Sequence, residues 1–212
     1  KRKEMRNMKR SLSYVFVVVF AMLFVGCSAR EGKIELLNGE KLKKENFLTH
    51  NDVVFLVNGG DGMGKTYLGS VVDKEELAVG SGEISLNIEY NLLKNRTKII
   101  MERNVLTQDK ALEIAKLNNS DYLIYSRTEK WNDPIGLTCT LPFYMDDASV
   151  LISLYSVKDN KLISSTRLSN ADCPPKINGG IPLSPLSPDG LFEKLFQDWI
   201  NENFQEKVKL GK

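Results

Sequence analysis

Between Asn51 and Phe204 the spacing of apolar residues changes several times, and each change marks an element. "NDVVFLVNG" (51–59) is a short β-branched run bounded by turn formers, which predicts a strand. A Gly-rich loop, "GGDGMGKTYLGS", follows it. The next segment, "VVDKEELAVGSG", carries at most a helical turn around "DKEEL". After Gly80-Ser81-Gly82, Ile84, Ile88 and Leu92 recur at helical spacing with Leu86 and Leu93 alongside, so a helix is expected to end near Lys94-Asn95. "TKIIMERN" is a strand. Thr107 then stands at the cap position of a helix, "TQDKALEIAKLN", with Ala111, Leu112, Ile114 and Ala115 facing inward. Asp121–Trp131 is the next strand.

The clearest hairpin is "ASVLISLYSV" with "KLISSTRLS", joined at "KDNK". Val150, Ile152, Leu154 and Ser156 are its core-facing set. "DGLFEKLFQDWINENF" closes the pattern as an amphipathic helix with one stripe: Leu191, Phe192, Leu195, Phe196, Trp199 and Ile200. The order β, α, β, α, β, hairpin, α predicts a single α/β domain. Its sheet is expected to have about five strands, parallel first and antiparallel at the hairpin, with helices packed on it.

The N-terminal pattern is different. Lys9 and Arg10 precede an apolar stretch, Tyr14 to Val25, of roughly a dozen residues, the length of a secretory signal. A transmembrane helix needs about 20. Phe24-Val25-Gly26-Cys27 resembles the lipobox of bacterial lipoproteins, with Phe24 where leucine is usual. The resemblance implies that residues 1–26 are cleaved and that Cys27 carries the lipid, the one covalent group expected. Two or three acyl chains hold a protein firmly where one holds it only marginally. Ser28, in a position where Asp usually retains Gram-negative lipoproteins at the inner membrane, favours the outer membrane, facing the periplasm. Met5 and Met8 are both plausible initiators. Residues 28–50 read as a polar tether after Cys27, 51–205 as the folded domain and 206–212 as a tail.

Removing the signal changes the composition that matters. The full chain has a formal charge of +2, but residues 1–26 hold six basic residues and one acidic one. What is left, 23 basic against 26 acidic residues, is near −3 and is no footprint for nucleic acid. About 185 residues suffice for one domain with a real core. With Cys27 given to lipid, Cys139 and Cys173 remain. An oxidising compartment favours a disulfide between them, closing a loop worth about 3–4 kcal/mol; unbonded, they are two buried thiols.

One motif points elsewhere. Gly59, Gly64, Lys65 and Thr66 fit the phosphate-loop pattern G-x-x-x-x-G-K-[ST] behind an apolar run. Such a loop must open a helix, and Gly69 and Val71-Val72 are poor helix formers in the first two turns after it. The Mg²⁺-binding carboxylate is also missing: Glu102 follows only a short run and Asp159 lies in a hairpin turn. An exported protein meets little ATP. A nucleotide-binding protein using Gly59 to Thr66 is therefore the alternative reading.

The chain also resembles an uncharacterised proteobacterial lipoprotein family, the domain of unknown function numbered 4823, through "NNSDYLIYSRTEKWND", "DDASVLISLYSVKDNKLISSTRLS" and "SPDGLFEKLFQDWI". Its Asp-Gly turn corresponds to Asp61-Gly62, with Tyr67 downstream, and its Gly-Ser pair to either Gly69-Ser70 or Gly80-Ser81-Gly82. The element order is similar to the periplasmic fold of outer-membrane assembly lipoproteins and to the N-terminal domain of TolB. None of these resemblances brings a catalytic motif.

The remaining candidates are modest. His50 is the sole histidine and reads as a surface or tether residue. Asp146-Asp147 reads as a turn at the start of a strand, since adjacent strand residues point to opposite faces. Glu129, Trp131 and Asp133 lie at the end of a central strand, where α/β ligand sites occur. No metal set and no catalytic triad is visible. The expected function is a lipid-anchored, non-enzymatic envelope protein that binds an unidentified envelope partner or helps assemble a complex, without a cofactor.

Overall fold

The computed structural model describes residues 32–68, 71–132, 146–172 and 187–205. Eight strands form one mixed sheet: β1 (Lys33–Gly39), β2 (Val53–Asn58), β3 (Met63–Leu68), β4 (Val71–Leu77), β5 (Lys98–Glu102), β6 (Tyr122–Asn132), β7 (Asp146–Ser156) and β8 (Lys161–Asp172). Among the described residues three α-helices accompany them: α1 (Ser81–Leu93), α2 (Gln108–Leu117) and α3 (Pro188–Asn203). The strand order is β1-β8-β7-β6-β2-β5, and β3, with β4 beside it, joins β6 separately.

The predicted βαβαβ-plus-hairpin path is present within this larger sheet. β2 runs parallel to both β5 and β6, and β6, β7 and β8 are antiparallel neighbours. Val54 to Val57 are buried without interruption because helices cover both faces of β2. α1 and α3 share one face, where Leu86 and Leu93 meet Leu191, Phe192, Phe196 and Trp199 over Val54, Ile124, Val150 and Ile152. α2 covers the other, with Ala111 and Ala115 against Phe55, Val57, Leu123 and Tyr155.

α3 realises its predicted stripe in full. Pro188 starts it, and the Ser187 hydroxyl accepts a bond from the Gly190 N–H. Phe192, Phe196, Trp199 and Phe204 then meet in succession, tilted, stacked and edge-on in turn, with centroid spacings of 5.6, 5.3 and 6.1 Å. Trp131 meets Phe192 edge-on at 6.0 Å and ties the end of β6 to this column.

Three strands correct the sequence reading. β1 lies within the predicted tether, yet it pairs with β8 from Lys33↔Ser169 to Gly39↔Ser164. The sheet therefore begins at Lys33 and not at 51. An exposed edge strand needs few apolar residues, which is why its period is unreadable. β3 and β4 occupy the predicted loop and the predicted helical turn around "DKEEL". Their backbones are satisfied by each other and by β6, so pairing decides their conformation and local propensity does not. Thr107 holds the cap position of α2, but its side chain makes no capping bond.

Candidate functional site

The phosphate-loop residues sit where β2 ends, and the structure gives their glycines a packing reason. A Cβ on Gly59 would lie 2.8 Å from the Tyr125 ring. One on Gly64 would lie 2.8 Å from the Trp131 carbonyl oxygen of the adjoining strand β6. Each marks a close approach of two backbones, a role that only glycine fills. Lys65 and Thr66 belong to β3, paired with Glu75 and Lys74, and α1 does not begin until Ser81. The strand–loop–helix geometry that a phosphate loop requires is absent from Gly59–Thr66, because a hairpin occupies the place of the helix.

The helix N-terminus that an anion would seek is already occupied. The Asp61 carboxylate accepts from the Gly80 N–H at 3.0 Å and from the Gly82 N–H at 2.7 Å. This carboxylate satisfies orphan donors of α1 and complements its dipole. Around it the Ser81 hydroxyl accepts from the Gly62 N–H at 3.0 Å, and the Asn58 side chain accepts from the Gly60 N–H at 2.8 Å. The Ala78 N–H donates to the Gly62 carbonyl at 2.8 Å, which closes the base of the β3–β4 hairpin.

In open α/β sheets, ligands favour the crevice where successive crossovers leave the sheet on opposite faces. Here that crevice lies between the carboxyl ends of β2 and β5, with α1 on one face and α2 on the other. It is closed by the chain itself: the Leu106 N–H donates to the Asn58 carbonyl at 3.1 Å, and Val105 stands beside Gly60.

Beneath the loop lies a buried polar cluster. Glu89 of α1 is fully buried, and its Oε1 accepts from the Ser126 hydroxyl of β6. Its Oε2 has no partner. Burial pushes the carboxyl up to about 8, partly opposed by the Ser126 bond, so the group is mostly neutral near pH 7. One helical turn away, Ser85 donates to the Gly82 carbonyl and shares a 3.1 Å hydrogen bond with Thr128.

A second polar group lies on β6 to β8. Arg167 grips Glu129 with two bonds, 2.6 and 3.0 Å, and Ser149 donates to the same carboxylate at 3.1 Å. The Arg167 bonds hold the Glu129 carboxyl below its ordinary range, against the effect of partial burial. Glu129 is thus engaged in the fold, and Trp131 is buried on the α3 column. Asp146 and Asp147 open β7, the first buried and the second half-buried 3.9 Å from Lys130. His50 is exposed in a turn. Cys27, Cys139, Cys173 and Asp133 lie outside the described residues. Asn132 pairs with Asp147, and Asp146 with Asp172.

Among the described residues no group of three potential metal ligands occurs, and no helix is long and apolar enough to cross a membrane. A shallow depression lined by Met63, Gly64, Glu75, Lys130, Asn132 and Asp147 has no room for a nucleotide. Local sequence signals do not reveal Asp61 as a cap, Glu89 as a buried acid or Arg167 as the partner of Glu129 across β7. The spacing of Glu89 shows only once the buried face of α1 is known: Gly82, Leu86, Glu89 and Leu93 form it, while Ile84 is exposed.

The fold is similar to that of PelC. The PelC dodecamer from Paraburkholderia phytofirmans matches with a TM-score of 0.52 and 16% identity, over 83% of this chain and 99% of that one. Looser likenesses include lipoprotein GNA1162 from Neisseria meningitidis (TM-score 0.37, 10% identity, 70% of this chain and 94% of that one). Another is the LpoB C-terminal domain from Salmonella enterica (TM-score 0.35, 16% identity, 57% and 84%). No family model matches the chain, and no curated protein does.

Proposed function

We propose that this chain is a lipid-anchored envelope lipoprotein whose α/β domain faces the periplasm from the outer membrane. In this reading the domain binds or assembles other envelope proteins and performs no catalysis. The observation that carries the reading is Phe24-Val25-Gly26-Cys27 behind a basic n-region and an apolar stretch of signal length. The described domain supports it in a consistent way. The motif that suggested nucleotide chemistry is folded into a hairpin, Asp61 fills the nearest anion site, and the crevice beside β2 is closed. PelC, of similar fold, was solved as a dodecamer, which makes assembly a use this fold supports. The lipoprotein family numbered 4823 remains a resemblance of sequence segments.

Labelling with palmitate tests the anchor. Label is expected on the wild-type protein in the outer-membrane fraction and is expected to vanish in Cys27→Ala. Crosslinking in intact cells then names the partner. Lys65-dependent binding of ATP and Mg²⁺ by the purified domain would overturn the reading in favour of nucleotide binding.

A further inference from the structure

The six-strand path of the sheet ends in β1 on one side and in β5 on the other. Among the described residues β5 pairs only with β2, so one row of its N–H and C=O groups has no strand beside it. Exposure follows the same line. Ile99, Ile100 and Met101 are half-buried, whereas Val54 to Val57, one strand inward, are buried. Open edges are usually blunted by a proline or a bulge. β1 carries a register shift between Leu36 and Asn38. β5, "KIIME", has no proline and keeps an unbroken register with β2, from Val53↔Lys98 to Val57↔Glu102.

This edge is its own complement. Side chains alternate along a strand, so Lys98, Ile100 and Glu102 share the face covered by α2, while Ile99 and Met101 turn to the core under α1. Lys98 is exposed and makes no ion pair among the described residues. The Glu102 Oε1 accepts from the Asn104 N–H and from its side-chain amide, each at 2.8 Å, which holds the carboxylate at the end of the strand. Arg103, the nearest cation in the chain, is already paired with Glu83 of α1 at 2.8 Å. When two β5 strands lie antiparallel about a two-fold axis at Ile100, Lys98 stands opposite Glu102 at both ends. Ile99 then faces Met101 twice, and Ile100 faces its own copy. Every rung joins opposite charges or apolar side chains.

We propose that β5 is a self-association edge: two copies of this chain pair their β5 strands antiparallel about Ile100, with Lys98 of each copy against Glu102 of the other. The two sheets then run on as one, and α1 of both copies lies on the same face. The occupant is a second copy because a copy supplies both charges in the order this edge needs. At β1 the same operation about Leu36 sets Lys33 against Gly39 and leaves its charge without a counterpart. The pairing goes beyond the envelope reading and does not depend on lipid at Cys27.

Two differently tagged full chains, co-expressed and extracted in mild detergent, test this by capture on one tag and blotting for the other. Wild type is expected to capture wild type. Lys98→Glu is expected to capture itself at least about tenfold less, because it opposes two carboxylates at each end, and Glu102→Lys likewise, because it opposes two ammonium groups. Lys98→Glu expressed with Glu102→Lys is expected to regain wild-type capture, since each end again joins opposite charges. Directly opposed residues of an antiparallel pair lie about 4.5–5.5 Å apart at Cα, within disulfide reach. Ile100→Cys is therefore expected to give a crosslinked dimer on mild oxidation, above the level of the parent chain, and Leu117→Cys, exposed on α2, is not. Self-capture that both charge variants retain assigns association to another surface and overturns the β5 pairing, as does a wild type that captures no second copy. Melting temperatures show whether the variants fold. Where Glu102→Lys melts below the parent through loss of the Asn104 bonds, Ile100→Cys decides: a dimer above the parent level upholds the pairing and its absence overturns it. Palmitate labelling at Cys27 is read separately, so either reading can fail without the other.

Discussion

Asp61 lies 2.7 Å from the amide nitrogen of Gly82, so the loop after β2 caps the helix that follows the hairpin with its own carboxylate. This bond, with its partner at Gly80, holds the two ends of the β2-to-α1 connection together across the inserted hairpin. Replacing Asp61 with Ala is expected to cost about 1–2 kcal/mol, and Asn is expected to recover part of it, because the cap keeps its oxygen and loses its charge. Urea unfolding of the three proteins measures the series.

Gly64 presses on the β6 backbone at Trp131, whereas Lys65 belongs to the motif only by sequence. Gly64→Ala is expected to destabilise the domain by about 1–3 kcal/mol through that clash. Lys65→Ala is expected to leave the response to ATP and Mg²⁺ unchanged, read as the absence of any shift in melting temperature for either protein. Such a shift in the parent alone would revive the nucleotide reading.

Glu89 makes stability depend on pH in an unusual direction. Its folded value, about 8, lies above the ordinary 4.5, so the folded chain binds the extra proton in between. Stability from this group is complete at acid pH, falls as pH rises above 4.5 and is lost above 8. Glu89→Gln, which mimics the neutral acid, is expected to flatten this slope and to stabilise the domain by a few kcal/mol at pH 9, with little effect at pH 4. Melting temperatures of both proteins across that range test it.

The Glu129–Arg167 pair carries the opposite sign. Its depressed carboxyl contributes stability above the ordinary carboxylate range, lost as pH falls through the folded value. Arg167→Met is expected to cost about 1–3 kcal/mol at pH 7, and less in a Glu129→Gln background, since the second change removes the unpaired charge. A double-mutant cycle yields the coupling.

Thiol counting addresses the cysteines. With Cys27 acylated, the unreduced, unfolded protein is expected to show no free thiol and the reduced protein two, Cys139 and Cys173. Loss of the bond in Cys139→Ser is expected to cost about 3–4 kcal/mol.

Periodicity revealed the elements that bury a continuous face. β2, α3 and the β7–β8 hairpin were legible because Val54 to Val57, the Leu191–Ile200 stripe and Val150-Ile152-Leu154 each answer to one core. β1, β3 and β4 were not. They are stabilised by neighbours distant in the chain, and a strand whose conformation is set by backbone pairing need not declare itself by alternation. The same limit applies to the polar groups. Asp61 was visible as a turn residue, but its bond to Gly82 spans the hairpin. Arg167 and Glu129 are 38 residues apart and meet only because β7 lies between their strands. The phosphate-loop pattern misled for a related reason: Gly59 and Gly64 are required by two β6 contacts that the local sequence does not contain.

The bond from Ala78 to the Gly62 carbonyl has a topological consequence. The excursion from Met63 to Leu77 starts and finishes one hydrogen bond apart, so the chain on either side already forms an uninterrupted strand–helix connection. Only its base, Met63 and Gly64, is tied to β6, so a change of hairpin length beyond Gly64 alters what the domain presents at that end without rerouting the path from β2 to α1.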